Sequence, residues 1–287
     1  MKKEKILKFI LLLAISFAVM RIYELMQYFV GVYVFGFKLD TPPNVSQAFF
    51  DTVCCSFQIA VFWILYMMTK RLYFDRGEDI EEIEKTRLGI KDVPRLLPKL
   101  IVISLGVSGL VNLFMVFAEH FLTFIPAIKE SLSSFDNTWS AVAAQNYLFQ
   151  LGSIVILGPI VEEFMFRGFI YNAAKKFWGD YFAIFFSAVL FGIWHRELIQ
   201  GIYVTFVAIV LGIVYMRTKN IIFPMILHIL NNFYSALPPR FSTEVWNFRV
   251  TVLCYVMLLP ALYLVYKIFK NNKGLKKIEK NENYFLS

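Results

Sequence analysis

Long apolar stretches separated by short charged segments dominate the pattern of this 287-residue chain. A transmembrane helix needs about 20 mostly apolar residues, and several stretches reach that length. Polar and apolar positions do not alternate strictly, so helices rather than barrel strands are expected. The sequence therefore predicts an all-α polytopic membrane protein, a bundle of about eight transmembrane helices. The predicted spans are 6–35, 48–69, 100–124, one that begins after Ser140, 181–198, 201–217, 220–237 and 248–269.

The composition supports membrane insertion and excludes a nucleic-acid partner. The chain is 58% hydrophobic and only 17% charged, far more apolar than a soluble domain. Its net charge of +8 comes from Lys and Arg residues that cluster between and beside the apolar stretches, as the positive-inside rule describes. We therefore expect a multi-pass cell-membrane protein with both termini in the cytosol. The basic segments assigned to the cytosol are 70–99, 175–176, 217–219 and 267–280.

The remaining features predict one integral domain over residues 1–287. No internal repeat or low-complexity linker divides the sequence. Arg21 and Glu24 are three residues apart in the first span, a spacing that predicts an ion pair inside the bundle. Gly106 and Gly109 in the third span would allow a neighbouring helix to approach closely. The polar segment 126–140 is expected to be a loop on the outer side.

Three charges inside the fourth predicted span call for a functional explanation, because charged groups at membrane depth are costly unless they are paired or used. Glu163 and Arg167 are one helical turn apart and can form a charge-assisted pair. Glu162 is rotated by about 100° from Glu163 and should point away from Arg167. A carboxylate in a low-dielectric cleft can take a proton from water, which is the role expected of Glu162.

Polar side chains in the fifth and seventh predicted spans complete the candidate site. The chain has only three histidines, and His195 and His228 lie in these two spans. His195 could share the proton with Glu162 and orient the water. His228 and Asn232 are one turn apart, so they can present donors to a developing oxyanion. Gly158-Pro159 is expected to break the helix just before the acidic pair, and the motif core spans 158–233.

Taken in order, these residues resemble the three motifs of a known family: Glu162-Glu163-x-x-x-Arg167, Phe191-x-x-x-His195 and His228-x-x-x-Asn232. The family is that of the CPBP intramembrane proteases, also called Abi or CAAX protease and bacteriocin-processing, which includes the Rce1-type CAAX prenyl endopeptidases. The resemblance implies an intramembrane catalytic cavity in which Glu162 and His195 activate water. It also implies that His228 and Asn232 stabilise the oxyanion, while Glu163 and Arg167 hold the site together.

The resemblance further implies a hydrophobic or lipid-attached peptide as substrate and the membrane lipid as surroundings. Relatives in bacteria are associated with bacteriocin self-immunity and peptide maturation. The family has been described both as metalloproteases and as glutamic proteases, and Glu162, His195 and His228 could together hold zinc. The sequence has no His-Glu-x-x-His and no identifiable carboxylate to orient a ligand histidine, which favours a metal-free reaction without a cofactor.

Two other functions are compatible with the same residues. In a proton-coupled transporter, buried Glu and His side chains would relay protons. Such carriers usually show two related halves, whereas the polar residues here cluster in the second half of the chain. A non-catalytic scaffold or immunity protein could instead keep the fold and bind a peptide partner.

Overall fold

The structure, a computed structural model, describes residues 2–36, 45–73, 88–143, 146–238, 241 and 243–271. These residues form helices joined by short connections, and no strand occurs among them, so the all-α prediction is confirmed. A π-helical turn, Val30–Val34, extends α1, and a 3₁₀ turn, Ile90–Asp92, precedes α3. The helices are α1 Lys2–Phe29, α2 Val45–Tyr73, α3 Val93–Phe121, α4 Pro126–Ala143, α5 Tyr147–Trp178, α6 Asp180–Trp194, α7 Leu198–Thr218, α8 Ile222–Ser235 and α9 Glu244–Asn271.

Four of the described helices are long and apolar enough to cross a membrane. They correspond to the third, fourth, sixth and eighth predicted spans. Two shorter apolar helices, Thr52–Ile64 and Asp180–Trp194, lie within the second and fifth. A multi-pass membrane protein is therefore supported, while the total of about eight spans remains a prediction for the whole chain. The four long helices are Ile90–Phe121, Tyr147–Trp178, Leu198–Thr218 and Glu244–Lys270.

The predicted outer loop at 126–140 is wrong, because this segment forms helix α4. Its Ser, Asn and Asp content suggested a loop, but Ile128 and Leu132 are one helical turn apart and both are buried. They pack in a cluster with Ala118 of α3 and Ile199 of α7. The apolar spacing therefore outweighs the polar composition of the segment.

The predicted helix break at Gly158-Pro159 is also wrong, because α5 continues through it from Tyr147 to Trp178. The backbone widens instead: residues Leu151–Leu157 and Phe164–Tyr171 wind as π-helix. The Gly158 N–H donates to the carbonyl of Ser153, five residues earlier. A Cβ at Gly158 would lie only 2.9 Å from that oxygen, so glycine suits the position. Such π-helical turns often occur at functional sites.

The chain divides into two compact units, Met1–Ile80 with Asp136–Ser187 and Glu81–Phe135 with Ala188–Ser287. In the first unit, α5 packs against α1 and α2. Phe62 of α2 meets Phe169 of α5 with ring centroids 6.0 Å apart. The predicted Arg21–Glu24 pair forms at 3.0 Å, but the two side chains remain 46% and 38% exposed, so the pair is not internal as predicted.

In the second unit, α3 and α9 are antiparallel and in very close contact. A Cβ added to Gly106 would lie 2.2 Å from the Cβ of Ala261. One added to Gly109 would lie 2.5 Å from the carbonyl oxygen of Cys254. Small residues let helix backbones approach in this way inside membranes. The close packing predicted for the two glycines is therefore confirmed.

We expect Gly109→Ala to lower the thermal stability of the purified protein in detergent. The new methyl group would clash with the backbone of α9, and overpacking of this kind costs about 1–3 kcal/mol. Gly152→Ala is the matched control, because its added Cβ would lie 3.5 Å from the nearest atom, Thr52 Cγ2. Alanine is also the better helix former there, by about 1 kcal/mol. Equal unfolding temperatures for the two variants would contradict the packing described here.

Candidate active site

The first motif lies at the centre of α5, a helix of 32 residues. Glu162 and Glu163 lie between its two π-helical stretches, and Arg167 lies within the second. Glu163 and Arg167 are both fully buried, and an Arg167 Nη1 nitrogen donates to a Glu163 Oε1 oxygen at 2.9 Å. The predicted one-turn ion pair is therefore confirmed. Two buried opposite charges in contact avoid the large penalty that either charge would suffer alone.

Glu162 occupies a different environment from its neighbour. Its side chain is half-buried, whereas that of Glu163 has no exposed surface. The difference agrees with the rotation of about 100° between consecutive helical residues. Arg167 nevertheless remains within electrostatic range of both carboxylates, although the helical rotation predicted that Glu162 would point away from it.

The second motif lies at the carboxyl end of α6. That helix ends at Trp194, and Arg196 then adopts a left-handed conformation with φ of 58°. His195 is half-buried, and its Nδ1 lies 2.9 Å from the carbonyl oxygen of Phe191. Because a carbonyl oxygen can only accept, Nδ1 must carry the hydrogen. In the neutral ring the lone pair is then on Nε2, the atom that can act as a base or bind a metal.

The structure brings the second and third motifs together around one aromatic ring. Phe191 is buried, and its ring lies at 65° to that of His195 with centroids 4.7 Å apart. The same ring meets His228 at 5.8 Å. Edge-to-face contacts of this kind orient both imidazoles relative to one another. Phe191 appears in the sequence motif, but its role as the shared contact of two histidines was not predicted.

The third motif lies on α8, with His228 buried and Asn232 half-buried. Both residues belong to the face defined by their one-turn spacing. The neighbouring Asn231 accepts a hydrogen bond of 3.2 Å from Ser108 of α3. This bond joins α8 to α3 and thereby limits rotation of the helix that carries His228. The sequence does not reveal this bond, because a lone serine in an apolar span gives no indication of its partner.

Helices α6 and α7 meet at Gly192, which lies within the second motif. A Cβ on Gly192 would lie 2.1 Å from Thr205 Oγ1 and 2.5 Å from the carbonyl oxygen of Gly201. The Thr205 hydroxyl donates to that same Gly201 carbonyl at 2.7 Å. No larger residue fits at 192 without moving α6. The position of His195, three residues later, therefore depends on this contact.

Hydrogen bonds of Glu197 and Ser131 fix the turn between His195 and α7. Glu197 caps α7 by accepting from the Gln200 N–H at 3.2 Å. The Ser131 hydroxyl of α4 donates to Glu197 and accepts from the Ile199 N–H at 2.8 Å. Neither residue is signalled by the sequence: glutamate is not among the residues preferred as helix caps, and Ser131 comes from the segment predicted to be a loop.

The residues named for a zinc site come from both units, Glu162 from the first and the two histidines from the second. Within either unit, no three His, Cys, Asp or Glu side chains of the described residues converge as a ligand set. His195 suits a metal as well as a proton, since ligand histidines often donate their other ring N–H to a backbone carbonyl. The hydrogen bond to Phe191 is therefore compatible with both metal binding and proton transfer at Nε2 of His195.

Comparisons with known proteins agree with the motifs. Residues 144–234 match the family model described as Type II CAAX prenyl endopeptidase Rce1-like. A Bacillus subtilis (strain 168) protein described as "Putative membrane peptidase YdiL" is 35% identical over 82 residues, 29% of this chain and 34% of that protein. The match thus spans about a third of the length of this curated relative.

No solved structure matches the chain. The matched segment contains α5, α6, α7 and α8 with every residue of the three motifs. The resemblance seen in the sequence is thereby confirmed: residues 144–234 of this chain are similar to the Type II CAAX prenyl endopeptidase Rce1-like family.

Proposed function

We propose that this protein is an intramembrane endopeptidase that hydrolyses a peptide bond in a hydrophobic or lipid-attached, membrane-associated peptide. The observation that carries the proposal is the Rce1-like match over residues 144–234, which contains all three motifs intact. The pairing of Glu163 with Arg167 supports it, because the pair leaves Glu162 as the carboxylate with exposed surface. We place the protein in the cell membrane with both termini in the cytosol.

In the proposed mechanism, Glu162 and His195 activate the attacking water. Glu162 accepts a proton as the water oxygen adds to the peptide carbonyl carbon, and the same proton later passes to the leaving amine. His195 shares this proton with Glu162 through Nε2, because its Nδ1–H is already donated to the carbonyl of Phe191. General acid–base catalysis of this type contributes about 10²–10⁴-fold in rate.

His228 and Asn232 are proposed to stabilise the oxyanion that forms on the former carbonyl oxygen. Donors that are already in position gain strength in a site from which water is excluded. His228 is buried, and its helix is held by the Ser108–Asn231 hydrogen bond and by the contact with Phe191. Glu163 and Arg167 are assigned a structural role. The physiological setting would be CAAX-type processing, bacteriocin self-immunity or peptide maturation.

We expect Glu162→Gln and His195→Ala each to reduce cleavage at least about 100-fold, because each removes a group that handles the proton. The assay uses the purified protein in detergent and fluorogenic hydrophobic peptides, with and without an attached prenyl chain. Glu119→Gln and His120→Ala at the end of α3 are matched controls. They make the same changes at exposed positions, and His120 also makes a 2.9 Å bond from Nδ1 to a backbone carbonyl.

Retained cleavage in Glu162→Gln and His195→Ala would rule out the protease assignment. If cells carrying these variants keep normal immunity or peptide signalling, a scaffold role gains support. Proton-coupled uptake that depends on Glu162 would instead favour the transporter alternative.

Loss of Glu163 should lower the stability of the protein, whereas loss of Glu162 should lower its activity. We expect Glu163→Gln to destabilise the protein by about 3–5 kcal/mol, because it leaves Arg167 as a buried charge without its ion-pair partner. Glu162→Gln should leave the unfolding temperature nearly unchanged while activity falls. Adding Arg167→Met to Glu163→Gln should recover part of the lost stability. Similar unfolding temperatures for the two single glutamine variants would show that the roles were assigned wrongly.

We propose that the reaction needs no metal or other cofactor, since the sequence lacks a His-Glu-x-x-His pair. Prolonged treatment with 1,10-phenanthroline or EDTA should then leave cleavage unchanged, and metal analysis should find less than one zinc per protein. Inhibition that added zinc reverses would instead identify Glu162, His195 and His228 as zinc ligands.

A further inference from the structure

The packing of α3 against α9 brings the basic ends of the two helices together. The glycine contacts pair position 106 with 261 and position 109 with 254, so the helices run in opposite directions. Two helical turns before Gly106, α3 carries Lys99. Slightly less than two turns after Ala261, α9 carries Lys267. The register fixed by the glycines therefore places these two lysines beside each other.

Two further cations extend the group on the same helices. Arg95 precedes Lys99 by one turn on α3, and Lys270 follows Lys267 by three residues on α9. Lys99 lies within electrostatic range of both Arg95 and Lys267. We call these four residues the cationic cluster.

The cationic cluster differs from the usual excess of basic residues in cytosolic loops. Its members lie within helices rather than loops, and Lys99 and Lys267 are half-buried. Like charges on facing helices repel each other, and partial burial reduces the screening by water. Asp92, an acidic residue close by in sequence, accepts a hydrogen bond of 2.7 Å from the Gly89 N–H. An added anion would therefore relieve repulsion that the helix packing imposes.

A fifth cation lies at the same end of this unit. Arg217, near the end of α7, is buried, and its Nε has no hydrogen-bond partner among the described residues. The end of α7 is joined to the segment that precedes α3. The Leu88 N–H donates to the Thr218 carbonyl at 3.1 Å, and the Asn220 side chain donates to the Leu88 carbonyl at 2.9 Å. This end of the unit therefore carries a fifth basic side chain in addition to the four of the cationic cluster.

We propose that the cationic cluster binds the phosphate group of an anionic membrane lipid. Phosphate oxygens accept several charge-assisted hydrogen bonds at once, and basic pockets between transmembrane helices bind such headgroups. A lipid fits better than a soluble phosphate, because exposed aromatic side chains of α9 border the cluster. Tyr263 is 63% exposed and Tyr266 is 58% exposed, and Lys270 lies 5.7 Å from the ring of Tyr266. Tyrosines with exposed rings are typical of the membrane interface.

The test compares two double variants with the same change in charge. Lys99→Gln/Lys267→Gln removes the centre of the cationic cluster. Lys129→Gln/Arg249→Gln removes two exposed cations, Lys129 on α4 and Arg249 at the opposite end of α9. Each purified full-length protein is titrated in detergent micelles with phosphatidylglycerol, phosphatidylcholine or inorganic phosphate, and the unfolding temperature is followed. A ligand that binds the folded state raises this temperature.

We expect phosphatidylglycerol to raise the unfolding temperature of the parent protein and of the Lys129/Arg249 control by several degrees, and less so at high salt. In Lys99→Gln/Lys267→Gln the affinity should fall about 25-fold, because each lysine near the membrane surface contributes about fivefold. An equal response of this variant and the parent would overturn the proposal, as would an equal effect of phosphatidylcholine. If inorganic phosphate alone reproduces the full shift, the ligand is a soluble phosphate and not a lipid. No outcome depends on proteolytic activity.

Discussion

The buried ion pair between Glu163 and Arg167 is the interaction on which the candidate site depends. Both side chains are fully buried near the middle of a long apolar helix, where neither charge would be tolerated alone. By holding one carboxylate, the pair separates two adjacent glutamates into a structural residue and a half-buried residue suited to chemistry. Arg167 also lies within range of Glu162, so a single buried cation acts on both carboxylates.

Around this pair, the backbone departs from regular α-helix geometry, and in the other unit glycines allow unusually close helix contacts. The two π-helical stretches of α5 let the helix continue past Pro159 and place the acidic pair between two wider turns. In the other unit, glycines bring backbones so close that a methyl group would not fit, at the α3–α9 contact and at Gly192. Such contacts hold helices in one register, and a fixed register is what gives side chains such as His195 a defined position. The same register places Lys99 beside Lys267.

Packing sets the tautomer of His195 and the orientation of both imidazole rings. The carbonyl of Phe191 requires the hydrogen of His195 to be on Nδ1, and the ring of Phe191 contacts both His195 and His228. One residue of the second motif therefore sets the tautomer of its own histidine and the orientation of another. These contacts leave Nε2 of His195 as the atom available for proton transfer, whether or not a metal takes part.

The sequence by itself determined the helical membrane class, the Rce1-like segment and the Glu163–Arg167 pair, because apolar length and one-turn spacing are local properties of the chain. It failed where distant residues decide the outcome. Composition suggested a loop at 126–140, but the burial of Ile128 and Leu132 against α3 and α7 makes that segment a helix. The hydrogen bonds from Ser108 to Asn231 and from Ser131 to Glu197 join residues far apart in sequence. Only tertiary structure pairs such residues, because no periodicity in the chain encodes which helix faces which.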